Sequence, residues 1–161
     1  MPHTAIDDLL ALLDEGYDRR SWHGTNLRGS LRSIEPHQVT FRPGPDRHNV
    51  WELVVHAAYW KYVVRKRVSG ARRSSFPLAG SNFYPRDGRF DADRWRADLD
   101  VLADEHRQLR LMVAALTEAD LRRSVGGRPL AWMVRGVAAH DLYHAGQIQL
   151  LKALAGLPRR R

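Results

Sequence analysis

His140 and His144 stand four residues apart in the apolar stretch 131–154, and His56 interrupts the apolar stripe of an earlier stretch. On a helix, residues at that spacing sit about 40° apart around the axis, so two imidazoles converge on one point. This suits two nitrogen ligands to one divalent ion, and His56 from a facing helix would supply a third. Three nitrogen ligands leave at least one coordination position for water or substrate, as in a reactive metal centre rather than a closed structural one. In a chain with eight histidines the spacing alone is a weak signal. Placement is the stronger one. All three stand where the helical pattern asks for apolar residues, and an unpaired buried ring nitrogen is costly.

Other residues compete for roles around such an ion. His106 occupies a similar seam position and rivals His56 as third ligand; it could equally be a fourth ligand, a proton carrier, or a core histidine satisfied by a polar neighbour. Glu52, one turn before His56, is a carboxylate ligand or orienting group in one reading and part of a helix cap in the other. Gln147 lies within about 20° of His140 around the helix, placed to hydrogen-bond a group at the metal or to make a helix–helix contact. His106 and Gln147 are thus the candidate catalytic residues. Asp141 turns about 100° from His140, toward solvent or an interhelix ion pair. His-Asp-Leu-Tyr-His lacks the glutamate of the His-Glu-x-x-His zinc peptidases, which argues against that chemistry. His3, His37 and His48 fall in terminal or connecting segments and are expected in solvent. His23, between Trp22 and Gly24, could line a pocket where a helix breaks.

The elements that must position these residues are helical. Ile6, Leu9, Leu10, Leu13 and Tyr17 keep helical spacing after Thr4, and Leu27, Leu31 and Ile34 resume it until Pro36, which predicts a first helix in two pieces. Residues 36–48 read as a connector. Asn49 with Glu52 makes a capping box for a second helix reaching about Val68, with Leu53, His56 and Trp60 on one face, Lys61, Arg65 and Arg67 outside, and Gly70 at its end. Residues 71–89 are rich in Gly, Pro, Ser and Arg, yet Phe76, Phe83 and Tyr84 predict an ordered crossover lying across one end of a bundle. Leu99, Leu102, His106, Leu109, Val113 and Leu116 form the seam of a third helix from about Asp91. After a short turn at 117–120, a last helix runs from Pro129 to Ala155 with Met133, Val137, His140, His144, Ile148 and Leu151 inward. No strand alternation is evident. The pattern predicts an all-α four-helix bundle, with the first helix broken and a long crossover between helices two and three.

Composition agrees. The 161 residues suit a single domain, 1–161, with 159–161 a frayed tail; 43% apolar and 27% charged residues are globular values. The absence of cysteine excludes disulfides, thiolate metal sites and cysteine nucleophiles. No apolar run is long enough to span a membrane and the N-terminus carries no secretory pattern, so a cytoplasmic location is expected. The net charge of +8 comes from dispersed arginines without a nucleic-acid-binding motif. It predicts salt-sensitive attraction to polyanions, not specific nucleic-acid recognition.

Together, His-Asp-Leu-Tyr-His-Ala-Gly-Gln-Ile at 140–148 and Asn-Val-Trp-Glu-Leu-Val-Val-His-Ala-Ala-Tyr-Trp at 49–60 resemble the DinB/YfiT-like superfamily. The Trp22, His23, Gly24 stretch and the turn at 117–121 fit one branch of it, and the resemblance covers about residues 4–156. It implies an up-down-down-up four-helix bundle, often a homodimer, with a divalent ion, usually zinc or nickel, on three histidines. Carried onto this sequence, those are His56, His140 and His144. Relatives include thiol S-transferases using bacillithiol or mycothiol, a maleylpyruvate isomerase and hydrolase-like members. The resemblance therefore implies a metal-dependent thiol S-transferase or hydrolase, with a small electrophile or a low-molecular-weight thiol as partner. The alternatives are a non-catalytic metal-binding stress-response module and, further off, a basic nucleic-acid-binding protein.

Overall fold

The computed structural model describes residues 4–70 and 75–156, so His3, Arg72, Arg73 and the 159–161 tail lie outside the described residues. Helix α1 (Ala5–Tyr17) opens on Thr4, whose hydroxyl caps the Asp7 N–H while the Asp7 carboxylate takes the Thr4 N–H at 2.9 Å. The chain then leaves the helix through a tight Ser21–Gly24 bridge, with Gly24 at φ 100°. The expected second piece of this helix is instead one short turn, α2 (Leu27–Ser30), and a further turn, α3 (Pro36–Thr40), opens the expected connector. Asn26 holds α2 in place, accepting from the Gly29 N–H and donating to the Arg19 carbonyl. Pro36 starts α3 rather than ending its predecessor, because the first turn of a helix needs no N–H there.

Helix α4 (Val50–Ser69) has the Asn49–Glu52 capping box and stops at Gly70, which adopts the left-handed conformation at φ 67°. Helix α5 (Ala92–Ala114) is capped by Asp91, and a single-turn α6 (Glu118–Arg122) by Thr117. The sequence gives no strand alternation, but β1 (Ser124–Val125) and β2 (Arg128–Pro129) pair as a minimal hairpin. Gly126 and Gly127, at φ 61° and 79°, supply the two positive φ angles that such a tight turn needs. Helix α7 (Leu130–Ala155) follows directly.

Side-chain contacts fix the directions of the four long helices. Near the starts of α4 and α5 the Trp51 indole donates to Asp98 at 2.6 Å, and further along both helices Arg65 pairs with Glu105, so these two run parallel. Arg110 of α5 grips Asp14 and the Ala5 N–H reaches Glu118 just beyond α5, so α1 runs the opposite way. His56 meets His140 while Leu130 and Val134 share a cluster with Val64 and Val68, which sets α7 antiparallel to α4. The bundle is up-down-down-up.

Because α5 is parallel to α4, the crossover must retrace the length of α4. It lies along that flank rather than across an end of the bundle. Phe76 packs among Tyr59, Tyr62 and Tyr84, Asn82 sits beside His56 and Trp60, and the Arg86 N–H reaches Glu52 at 3.2 Å. Two apolar clusters fill the interior, one around Trp51, Val54 and Ile148, the other around Leu13, Leu109 and Val134. Lys61, His106 and Asp141 fall in sequence between members of the two clusters. Lys61 is therefore not on the outer face: it is fully buried and paired with the equally buried Asp141, which also settles Asp141 as an interhelix partner rather than a solvent-side residue. Arg65 is drawn inward by Glu105, and only Arg67 of the three faces solvent as expected.

Candidate metal centre

The face of α4 that carries Leu53 and Ala57 turns His56 toward α7, where His140 and His144 stand one turn apart with their rings edge to face. The Nε2 atoms meet. His56 Nε2 lies 3.2 Å from His140 Nε2, and His144 Nε2 lies 3.0 Å from the same atom. His56 and His144 are buried and His140 partly so. For nitrogen ligands about 2.0–2.1 Å from a tetrahedral ion, neighbouring donors would be about 3.3 Å apart, close to what is seen.

The outer ring nitrogens explain why these lone pairs face one another. His56 Nδ1 lies 2.9 Å from the Asn82 carbonyl, which can only accept, so Nδ1 carries the proton and Nε2 is bare. Gln147 donates its amide N–H to the Tyr143 hydroxyl at 3.0 Å, which turns its amide oxygen to His144 Nδ1 at 2.6 Å. His144 Nε2 is bare for the same reason. His140 has no such anchor among the described residues, since its Nδ1 is buried without a partner there. Protonated at Nδ1, it adds a third lone pair to the cluster; protonated at Nε2, its one N–H cannot serve two acceptors in different directions. A cation at the meeting point resolves either conflict, so the donor set fits a divalent ion.

Burial keeps the rings neutral, as coordination requires. It lowers His140 to about 3, helped by the neighbouring His144 and His56. It lowers His144 to about 4, although the Gln147 hydrogen bond works in the other direction. His56 is also lowered, chiefly by burial. Above the histidines opens a cleft of about 470 Å³, with Leu53, Phe83, Leu150 and Leu151 as apolar wall and Asp46 and Arg47 as exposed charges.

The other expected residues separate clearly. His106 is not gathered with the three; it stacks on Tyr17 with ring centroids 3.8 Å apart and lines a different cleft. Glu52 is engaged as cap and anchor, bonded to Arg42 at 2.6 Å and to His48 at 2.9 Å; burial alone would raise its carboxyl, but the bonds from Arg42, His48 and the Arg86 N–H together outweigh it and hold it down to about 2. Gln147 orients His144. His48 keeps 45% of its side chain in solvent, yet it is not an idle connector residue: its ring lies 3.6 Å from Phe83, which in turn stacks 3.9 Å from His56. His23 lines neither the histidine cleft nor the cleft of His106: it stands exposed beside Trp22 in the Ser21–Gly24 bridge. His37 is exposed beside Glu35, as expected. Sequence reasoning missed Asn82 and Phe83 as supports of His56. The aromatic content of the crossover was the available signal, but nothing in it specified which helix the segment would cover.

The sequence matches the family model of the DinB superfamily over residues 17–148, and the chain belongs to that superfamily. No curated protein and no solved structure matches it significantly.

Proposed function

We propose that this member of the DinB superfamily is a divalent-metal-dependent enzyme, a thiol S-transferase or a hydrolase, with His56, His140 and His144 as the metal ligands. The observation that carries the reading is the meeting of three Nε2 atoms at the floor of an open cleft, two of them fixed from behind by Asn82 and Gln147. Zinc or nickel bound there supplies Lewis acidity, which lowers the pKa of a thiol or water that reaches the ion. The chain's own residues bind and orient. Phe83, Leu53 and Leu150 offer an apolar wall to a small electrophile or to the carbon skeleton of a low-molecular-weight thiol. Gln147 and Asn82 hold two imidazoles at fixed angles, the support that keeps ligands basic and in register.

A closed, purely structural site would need a fourth protein ligand. Of the two candidates, Glu52 is bonded to Arg42 and His48 and His106 lines a different cleft, which favours the reactive reading over the non-catalytic one. Elemental analysis of purified protein should find close to one divalent ion per chain, with occupancy sharply reduced in His56→Ala, His140→Ala and His144→Ala. A screen of electrophiles with candidate thiols, alongside ester and amide substrates, should then reveal turnover that a chelator abolishes. Full occupancy in all three variants, or turnover indifferent to chelation, would overturn the proposal.

A further inference from the structure

A second cleft, of about 780 Å³, lies between α1, α2 and α5 and shares no lining residue with the histidine cleft. Tyr17 and His106 form its floor, stacked at 3.8 Å and 20°, with Leu31, Leu99 and Leu102 beside them. Both floor residues are nearly sealed, at 5% and 6% exposure. His106 is the anomaly. Its Nδ1 is buried without a hydrogen-bond partner among the described residues, a deficit that an apolar ring at the same seam position would avoid. Burial, followed by the charges of Lys61 and Arg110, lowers its pKa to about 3, so the ring is neutral and brings no charge of its own to the floor.

Around this floor the balance of charge is positive. Arg110 is committed to Asp14 through two nitrogens at 2.6 and 2.9 Å, and Arg107 turns to Asp104. Arg28 and Arg19, however, share the single carboxylate of Asp18 at 3.3 and 4.0 Å. Arg32 has no side-chain ion pair among the described residues, and Asp100 is exposed. The cleft therefore combines an apolar, partly aromatic base, an unsatisfied neutral imidazole and guanidinium groups in excess of their partners.

We infer that this cleft binds a small organic anion of the aromatic carboxylate class, its planar body against the edges of Tyr17, His106 and Leu99 and its carboxylate toward Arg28 and Arg32. Arginine is suited to that end of the ligand because its planar fork matches a carboxylate with two parallel hydrogen bonds. The site is distinct from the metal centre, since the two clefts share no lining residue.

Titration of the full chain with benzoate at fixed ionic strength, followed by calorimetry and amide chemical shifts, tests this, with phenyl phosphate and inorganic phosphate as parallel probes. One saturable benzoate site is expected, with shifts on α1, α2 and α5. Arg32→Gln, at an exposed position, should weaken it about tenfold or more, and His106→Phe, which keeps the stack on Tyr17, should weaken it as well. His56→Ala should leave it unchanged. Absence of saturable benzoate binding, equal binding of inorganic phosphate, or sensitivity to His56→Ala without sensitivity to Arg32→Gln would each overturn the inference. If His106→Phe fails to fold, Arg32→Gln decides alone.

Discussion

Replacing Lys61 tests whether a buried charge pair clamps α4 to α7 in the register that brings the histidines together. Lys61 and Asp141 are both wholly buried and bonded to each other, and the second carboxylate oxygen of Asp141 has no partner among the described residues. Lys61→Met keeps the length of the stem and removes its charge, leaving Asp141 without a counter-ion. Breaking such a pair costs about 3–5 kcal/mol, a large share of the roughly 5–15 kcal/mol that holds a typical domain together. Lys61→Met combined with Asp141→Leu removes both charges and should return to within about 2 kcal/mol of the parent. A pH signature accompanies the single change. Burial pushes the Asp141 carboxyl up from 3.8 to about 6 while Lys61 pulls it down, so losing Lys61 raises it further. The folded variant then holds a proton that the unfolded chain releases. The Asp141 contribution to stability is full at low pH and is lost as pH rises from 3.8 through its folded value, by up to about 1.4 kcal/mol per unit. Urea unfolding of parent, single and double variants at pH 5 and pH 8 measures all of this. A loss below about 1 kcal/mol at pH 8, or a double variant no more stable than the singles, would refute the clamp.

Gln147→Leu removes the oxygen that fixes His144 and should weaken metal affinity by about 10–100-fold with little change in fold, measured by competition with a chelator of known affinity; unchanged affinity would leave Gln147 without a positioning role. Asn82, at φ 62°, supports His56 through its backbone carbonyl and Trp60 through its side chain. Asn82→Ala should cost about 1–2 kcal/mol in unfolding experiments, from the left-handed backbone and the lost indole hydrogen bond, whereas Asn82→Gly keeps the conformation and should cost less. The low pKa values of His106 and His140, about 3, and of His144, about 4, lie below the ordinary 6.5, with burial as the first cause of each. As pH falls below about 6.5 the unfolded chain takes up protons first, so the metal-free protein should lose stability steadily down to about pH 4, outweighing the single opposing contribution of Asp141. Thermal melts across that range should show it, and a flat or rising melting temperature would contradict the buried neutral histidines.

The sequence was most legible where a local rule operates. Asn49 and Glu52 cap α4 as read, Thr4 starts α1, and the seam Leu102, His106, Leu109, Val113 is buried on α5. The three histidines converge because helical spacing and the α4–α7 contact leave them no other direction. The misreadings concern long-range partners. Lys61 looks like a surface residue until Asp141 is found opposite it, 80 positions away, and a lysine stem packs as well as an apolar one. Pro36 reads as a stop because proline ends helices, but it equally begins them. The crossover's path along α4 follows from α4 and α5 being parallel, a property of the whole bundle that no local window contains. His48 drew no attention because its role depends on Phe83, which the crossover delivers from 35 residues further on.

X-ray absorption at the edge of the ion bound to the purified full chain tests the metal centre most directly. Three imidazole nitrogens at about 2.0–2.1 Å with any remaining position filled by a light exchangeable atom is the predicted result; His140→Ala should reduce the imidazole count or abolish binding. A first shell with fewer than three imidazoles in the parent, or one closed by a fourth protein ligand, would contradict the account.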